Sequence, residues 1–81
     1  MNYDEGMGLV CTVISLVNST QIENIKATDR LIIELKMDSI ELTDLLLQLE
    51  EYNVVFTEEQ ITSQLTVGDV VNALLSANRE I

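Results

Sequence analysis

Apolar residues recur along this chain at helical rather than strand spacing, and they divide it into blocks. From about Asp4 to Val17, Met7, Val10, Ile14 and Val17 fall at i, i+3, i+7 and i+10, which predicts a first helix. Leu9, Val13 and Leu16 widen its apolar stripe, and Asp4 and Glu5 suit its electropositive N-terminal end. Gly6 and Gly8 lower helix propensity and predict a fraying first turn, while Asn18-Ser19-Thr20 reads as the stop. Residues 18–37 show no period. Ile22, Ile25, Leu31 and Leu35 are apolar anchors in a long polar connection, with a single turn expected near Thr28 to Ile33. A connection of this length in a small domain is usually functional or pinned by its own side chains.

The clearest period follows. Leu42, Leu45, Leu46, Leu49 and Tyr52 make a wide apolar stripe, and Glu41, Asp44, Gln48 and Glu51 repeat on the other side. Asp38 or Ser39 caps this second helix and Asn53 ends it. Leu47 falls near the polar side, which makes it an exposed hydrophobic contact. Val54-Val55-Phe56 crosses to a short third helix capped by Thr57 and begun by Glu58-Glu59, with Gln60 completing a capping box. The last helix is capped by Thr66, with Asp69 three residues on, and turns Val67, Val70, Val71, Leu74 and Leu75 inward; fraying is expected after Ala77. The reading is an all-α, four-helix bundle, three main helices plus a short third one, forming one domain over residues 1–81.

Composition adds that the core is aliphatic: 47% of the residues are apolar, and Tyr3, Tyr52 and Phe56 are the only aromatics. A single cysteine, Cys11, rules out a disulfide framework within the chain and reads as a small buried hydrophobe. The apolar run from Met7 to Val17 is eleven residues, against the roughly 20 a membrane span needs. Asp4 and Glu5 precede it where a secretory signal needs a basic start, so a cytoplasmic location is the expectation.

Charge narrows the function. Fourteen acidic residues face four basic ones (Lys26, Arg30, Lys36 and Arg79), for a net charge of −10. Such a surface excludes nucleic acid as a partner and is repelled by anionic membranes. Between Asp38 and Glu59 lie seven carboxylates and no basic residue. Uncompensated charge of one sign costs stability through self-repulsion, which favours a docking surface for basic protein patches over mere solubility.

Catalytic constellations are missing. The chain has no histidine, which removes Ser-His and Cys-His nucleophile pairs and histidine metal sites. It has no glycine-rich phosphate loop and no EF-hand spacing of acids. One segment remains, Leu35-Lys36-Met37-Asp38-Ser39-Ile40-Glu41, a serine after an aspartate at the head of a helix. Alone, that pair is an ordinary cap. With Leu31, Leu35, Asp38, Ser39 and Ile40 in register, the segment resembles the acyl carrier protein family, which carries a hydrophobic residue, three positions, then Leu-Gly-x-Asp-Ser-Leu. Leu49-Glu50-Glu51-Tyr52 is similar to the family's Leu-Glu-Glu-Glu-Phe, one residue shorter. Phe56-Thr57-Glu58-Glu59 resembles its Ile-Pro-Asp-Glu, and Leu65-Thr66-Val67-Gly68-Asp69-Val70-Val71 a common start of its last helix. The likeness spans about residues 28–77.

The resemblance implies a monomeric, non-catalytic carrier. A phosphopantetheinyl transferase would move 4'-phosphopantetheine from coenzyme A to Ser39, with Asp38 supporting the segment. The phosphate would then sit at a helix N-terminus that favours anions. Acyl groups would ride the arm as thioesters to ketosynthases and other acyl-processing enzymes with basic docking patches. The docking positions it implies are Ile40, Glu41, Asp44, Leu47, Gln48 and Glu51. Lys36 stands where glycine is usual, Met37 where a small or aliphatic residue is common, and Thr57 where proline is usual. Those departures point to a specialised carrier for a polyketide, an unusual fatty acid or a hybrid peptide pathway. Two other readings remain open: an aminoacyl or peptidyl carrier of a peptide synthetase pathway, and an unmodified carrier fold kept for protein interaction.

Overall fold

Helix starts are written into the chain as reciprocal caps. In the computed structural model, which describes residues 1–78, three α-helices occur: α1 (Tyr3–Asn18), α2 (Ser39–Glu50) and α3 (Val67–Ala77). Each opens with a side chain accepting from the backbone three residues on, while that residue's carboxylate accepts from the cap's own N–H. The pairs are Asn2 with Glu5, Asp38 with Glu41 and Thr66 with Asp69, all at 2.8–3.1 Å. The box on Asn2 starts α1 at Tyr3, one residue ahead of the expectation. The expected short third helix is a single 3-10 turn over Glu58–Gln60, where the Thr57 N–H donates to Gln60 Oε1 at 2.9 Å. A second 3-10 turn, Ile22–Asn24, lies in the long connection and was not expected. The all-α reading with three main helices holds.

α1 packs against both α2 and α3. Val10, Val13 and Ile14 of α1, Leu45 and Leu49 of α2, and Val67, Val70, Val71 and Leu74 of α3 form the buried core, joined by Cys11. Burial pushes the Cys11 thiol pKa up, as suits a hydrophobe rather than a nucleophile. Gly6, expected only to weaken α1, is buried where α1 meets α3: a Cβ there would come within 3.1 Å of Leu75 and 3.2 Å of Val71. Its missing side chain lets the two helices approach. Leu16 departs from the expected stripe, standing 74% exposed. α2 ends at Glu50 and turns through Asn53, whose φ of 66° is left-handed. α3 ends at Ala77 and is followed by Asn78; the fraying expected beyond it, and Arg79, lie outside the described residues.

The connection between α1 and α2 is irregular but pinned. Ile25, Leu31 and Leu35 are buried as expected, Met37 is buried as well, and Ile22 is exposed instead of anchoring. A turn covers residues 31–34. Around an isolated antiparallel bridge between Arg30 and Thr66, the Leu31 N–H donates to the Leu65 carbonyl at 3.0 Å. The Val67 N–H reaches the Asp29 carbonyl at 2.9 Å and that of Gly68 the Ala27 carbonyl at 2.8 Å. These bonds satisfy backbone groups that no helix would.

Candidate functional site

The last part of that connection decides how α2 begins. Leu35 and Met37 both bury their side chains, the Leu35 carbonyl accepts from Asn18 Nδ2 at 2.9 Å, and the Met37 N–H donates to the Leu31 carbonyl at 3.0 Å. With both neighbours turned inward and bonded, Lys36 between them is exposed and takes φ 54°, in the left-handed region. Asp38 follows with extended backbone, and its Oδ1 accepts the Glu41 N–H at 2.8 Å.

Ser39 is therefore the first residue of α2, exposed and fixed in place. Its hydroxyl and the N–H groups of Ser39 and Ile40 make no hydrogen bond to another described residue. Free N–H groups and the positive end of the helix dipole favour an anion at this place. The arrangement suits a hydroxyl that becomes a phosphodiester and stays in solvent. Of the five serines of the chain, Ser39 alone opens a helix.

Ser39 borders two open grooves. One, of about 400 Å³, runs along α2 between Ser39, Ile40, Thr43, Asp44 and Leu47. Ile40 and Leu47 are 79% and 59% exposed there, so two large aliphatic side chains stand in water beside the hydroxyl. The other, of about 370 Å³, lies between α2 and the segment after it, lined by Ser39, Leu42, Thr43, Leu46, Glu58 and Ile61.

Of the residues singled out in the sequence, Asp38, Ser39, Ile40, Asp44 and Leu47 come together at the head and along one side of α2. Gln48 Nε2 bonds Asp44 Oδ1 at 3.3 Å, and Glu51 is exposed just past the end of the helix. Glu41 differs from the rest: its Oε1 accepts the Asp38 N–H at 3.1 Å, so this carboxylate closes the cap as well as contributing charge. Sequence reading missed Thr43, whose Oγ1 donates to the Ser39 carbonyl at 2.8 Å, and Ile61 across the second groove. Thr43 was findable, four residues after Ser39 on the same helical face; Ile61 sits in an aperiodic stretch and left no signal.

No helix among the described residues is long and apolar enough to cross a membrane. No curated protein matches the chain. A family model described as the phosphopantetheine attachment site matches residues 8–74, most of the chain and all of α2. Carriers of that family hold 4'-phosphopantetheine covalently, are generally not catalysts themselves, and meet a phosphopantetheinyl transferase and acyl-processing enzymes. A helical bundle presenting a free serine hydroxyl at a capped helix start, matched over that length, belongs to the phosphopantetheine-binding carriers, the acyl carrier protein family.

Proposed function

We propose that Ser39 is the attachment residue and that the protein delivers acyl intermediates as thioesters to the enzymes of a polyketide or specialised fatty acid pathway, with no activity of its own. The observation that carries this reading is the exposed, unpartnered Ser39 hydroxyl at the first position of α2, inside the matched residues. The residues fit the cofactor: the N–H groups of Ser39 and Ile40 are free to meet its phosphate, and Asp38 holds the helix start while leaving them free. Once bound, the arm supplies the thiol on which acyl groups are carried.

Ile40 and Leu47, exposed beside Asp44, Gln48 and Glu51, are an apolar contact within an acidic face, and Glu41 adds its charge at the helix head. A basic patch on a partner enzyme fits that face, and charge-led contacts of this kind form and break quickly, as a shuttle requires. Lys36, Met37 and Thr57 favour a dedicated pathway over general fatty acid synthesis. The acidic α2 favours acyl over aminoacyl cargo. At a net charge of −10, neither nucleic acid nor an anionic membrane is a partner, and the protein works as a monomer in the cytoplasm.

The test is intact mass after incubation with coenzyme A and a broad-specificity phosphopantetheinyl transferase. The expected result is a gain of one phosphopantetheine on the wild type and none on Ser39→Ala. Loading of Ser39→Ala, or failure of the wild type with this enzyme and with the transferase of its own host, would overturn the assignment.

A further inference from the structure

Lys36 is a charged side chain held where lysine is a poor choice. A left-handed backbone strains a residue that carries a Cβ and costs glycine nothing comparable. The segment gives Lys36 no way out, because Leu35 and Met37 are both buried and both bonded. Among the described residues nothing is seen to repay the strain: the Lys36 ammonium has no hydrogen bond and no ion pair there, whereas Arg30 is paired with Glu34. Strain kept at an exposed residue without an internal return points outward, to a contact made with another molecule.

The position says which molecule. Lys36 lies three positions before Ser39, at most about 11 Å of chain. A standard interface covers about 800 Å² on each partner, a disc about 16 Å in radius, so an enzyme centred on the Ser39 hydroxyl covers Lys36 as well. In the stretch from Asp38 to Glu59 every formal charge is negative, and Lys36 stands at its border as the nearest cation in sequence. A wholly basic partner surface would meet like charge there.

We propose that Lys36 selects the transferase that modifies Ser39, by pairing with a carboxylate at the rim of that enzyme's basic docking surface. This rests on Ser39 being the attachment residue. A transferase with a lysine or arginine at that rim would be turned away, so one residue supplies both the attraction and the exclusion on which discrimination between enzymes depends.

The experiment compares phosphopantetheine transfer from coenzyme A by the transferase of the protein's own host on the wild type, Lys36→Arg, Lys36→Gly and Lys36→Glu, with thermal melting of each. Lys36→Arg keeps kcat/KM within twofold. Lys36→Gly lowers it about fivefold, the size of one exposed ion pair, mainly through KM, while raising Tm by about 4 °C as the backbone relaxes. Lys36→Glu lowers it about twentyfold, and 0.5 M salt narrows the spread. A fold made more stable yet a worse substrate cannot be put down to damage. Lys36→Gly loading as fast as the wild type, or Lys36→Glu loading faster, overturns the proposal and leaves Ser39 standing. A wild type that the host transferase does not load overturns both.

Discussion

α2 and α3 begin in the same way and end up doing different things. Each opens on a capping box, Asp38 with Glu41 and Thr66 with Asp69, with near-identical hydrogen bonds. At α3 the first helical residue is Val67, fully buried, and the N–H groups of Val67 and Gly68 are taken by the Asp29 and Ala27 carbonyls. At α2 the first residue is Ser39, exposed, and the two corresponding N–H groups are free. The cap therefore sets where a helix starts, and the neighbouring chain decides whether that start is covered or open. Segment 27–31 covers the head of α3, and among the described residues no such segment covers the head of α2.

The largest test of that contrast compares the wall of the core with the exposed face of α2 proposed for docking. Leu74 is fully buried in α3, so Leu74→Ala should lower unfolding free energy by about 2–5 kcal/mol, read from a urea titration. Leu47 on α2 is 59% exposed, so Leu47→Ala should stay within about 0.5 kcal/mol. The same Leu47→Ala should nonetheless weaken a partner enzyme's use of the loaded carrier. A large stability loss at Leu47 would mean that α2 is held by that face and is not free for a partner.

Next in size are the two caps. Asp38→Ala and Thr66→Ala should each cost about 1 kcal/mol in a urea titration. Asp38→Ala should also slow phosphopantetheine transfer, because it loosens the turn that presents Ser39, while Thr66→Ala should leave the transfer rate of the folded protein unchanged. Equal effects on transfer would mean that the rate follows overall stability and that the head of α2 has no special standing.

How much of this was legible in the sequence follows from the same contrast. Helices with period and cap together, α2 and α3, were read to within a few residues, because Leu45, Leu49, Val70, Val71 and Leu74 are buried for reasons the spacing states. The place of Ser39 at the exposed start of α2 was legible through its neighbours. The exposure of Leu16 and Ile22 and the burial of Met37 were not: spacing alone does not say which apolar side chains the folded connection covers, and Met37 is drawn in by its bond to the Leu31 carbonyl. Gly6 read as a weakness, since only the facing Val71 and Leu75 show what its missing Cβ makes room for. Glu41 read as a docking charge, and its tie to the Asp38 N–H makes it part of the cap too. Reversing Glu41 therefore disturbs the helix start, and Asp44→Lys is the cleaner probe of docking.

The smallest expected effect concerns the ion pair inside the connection that lies over the head of α3. Arg30 and Glu34 pair in two parallel contacts, Nε to Oε1 at 2.9 Å and Nη2 to Oε2 at 2.7 Å, and the Arg30 backbone N–H adds a third at 2.8 Å. Hydrogen bonds from the Arg30 side chain, then from its backbone, pull the Glu34 pKa from 4.5 down to about 2. A carboxyl depressed by folding stabilises the fold when ionised. That contribution is complete above pH 4.5 and is lost as pH falls toward about 2. Glu34→Gln should lower the urea midpoint slightly at pH 7, and the gap to wild type should close between pH 4.5 and 2. Both side chains are about a third exposed, so water screens the pair and the effect should fall below that of either cap. A gap that persists at pH 2 would show that Glu34 acts through its shape in the turn. No gap at pH 7 would leave the bridge of Arg30 to Thr66 and the buried Leu31 as what holds segment 27–31 over the head of α3.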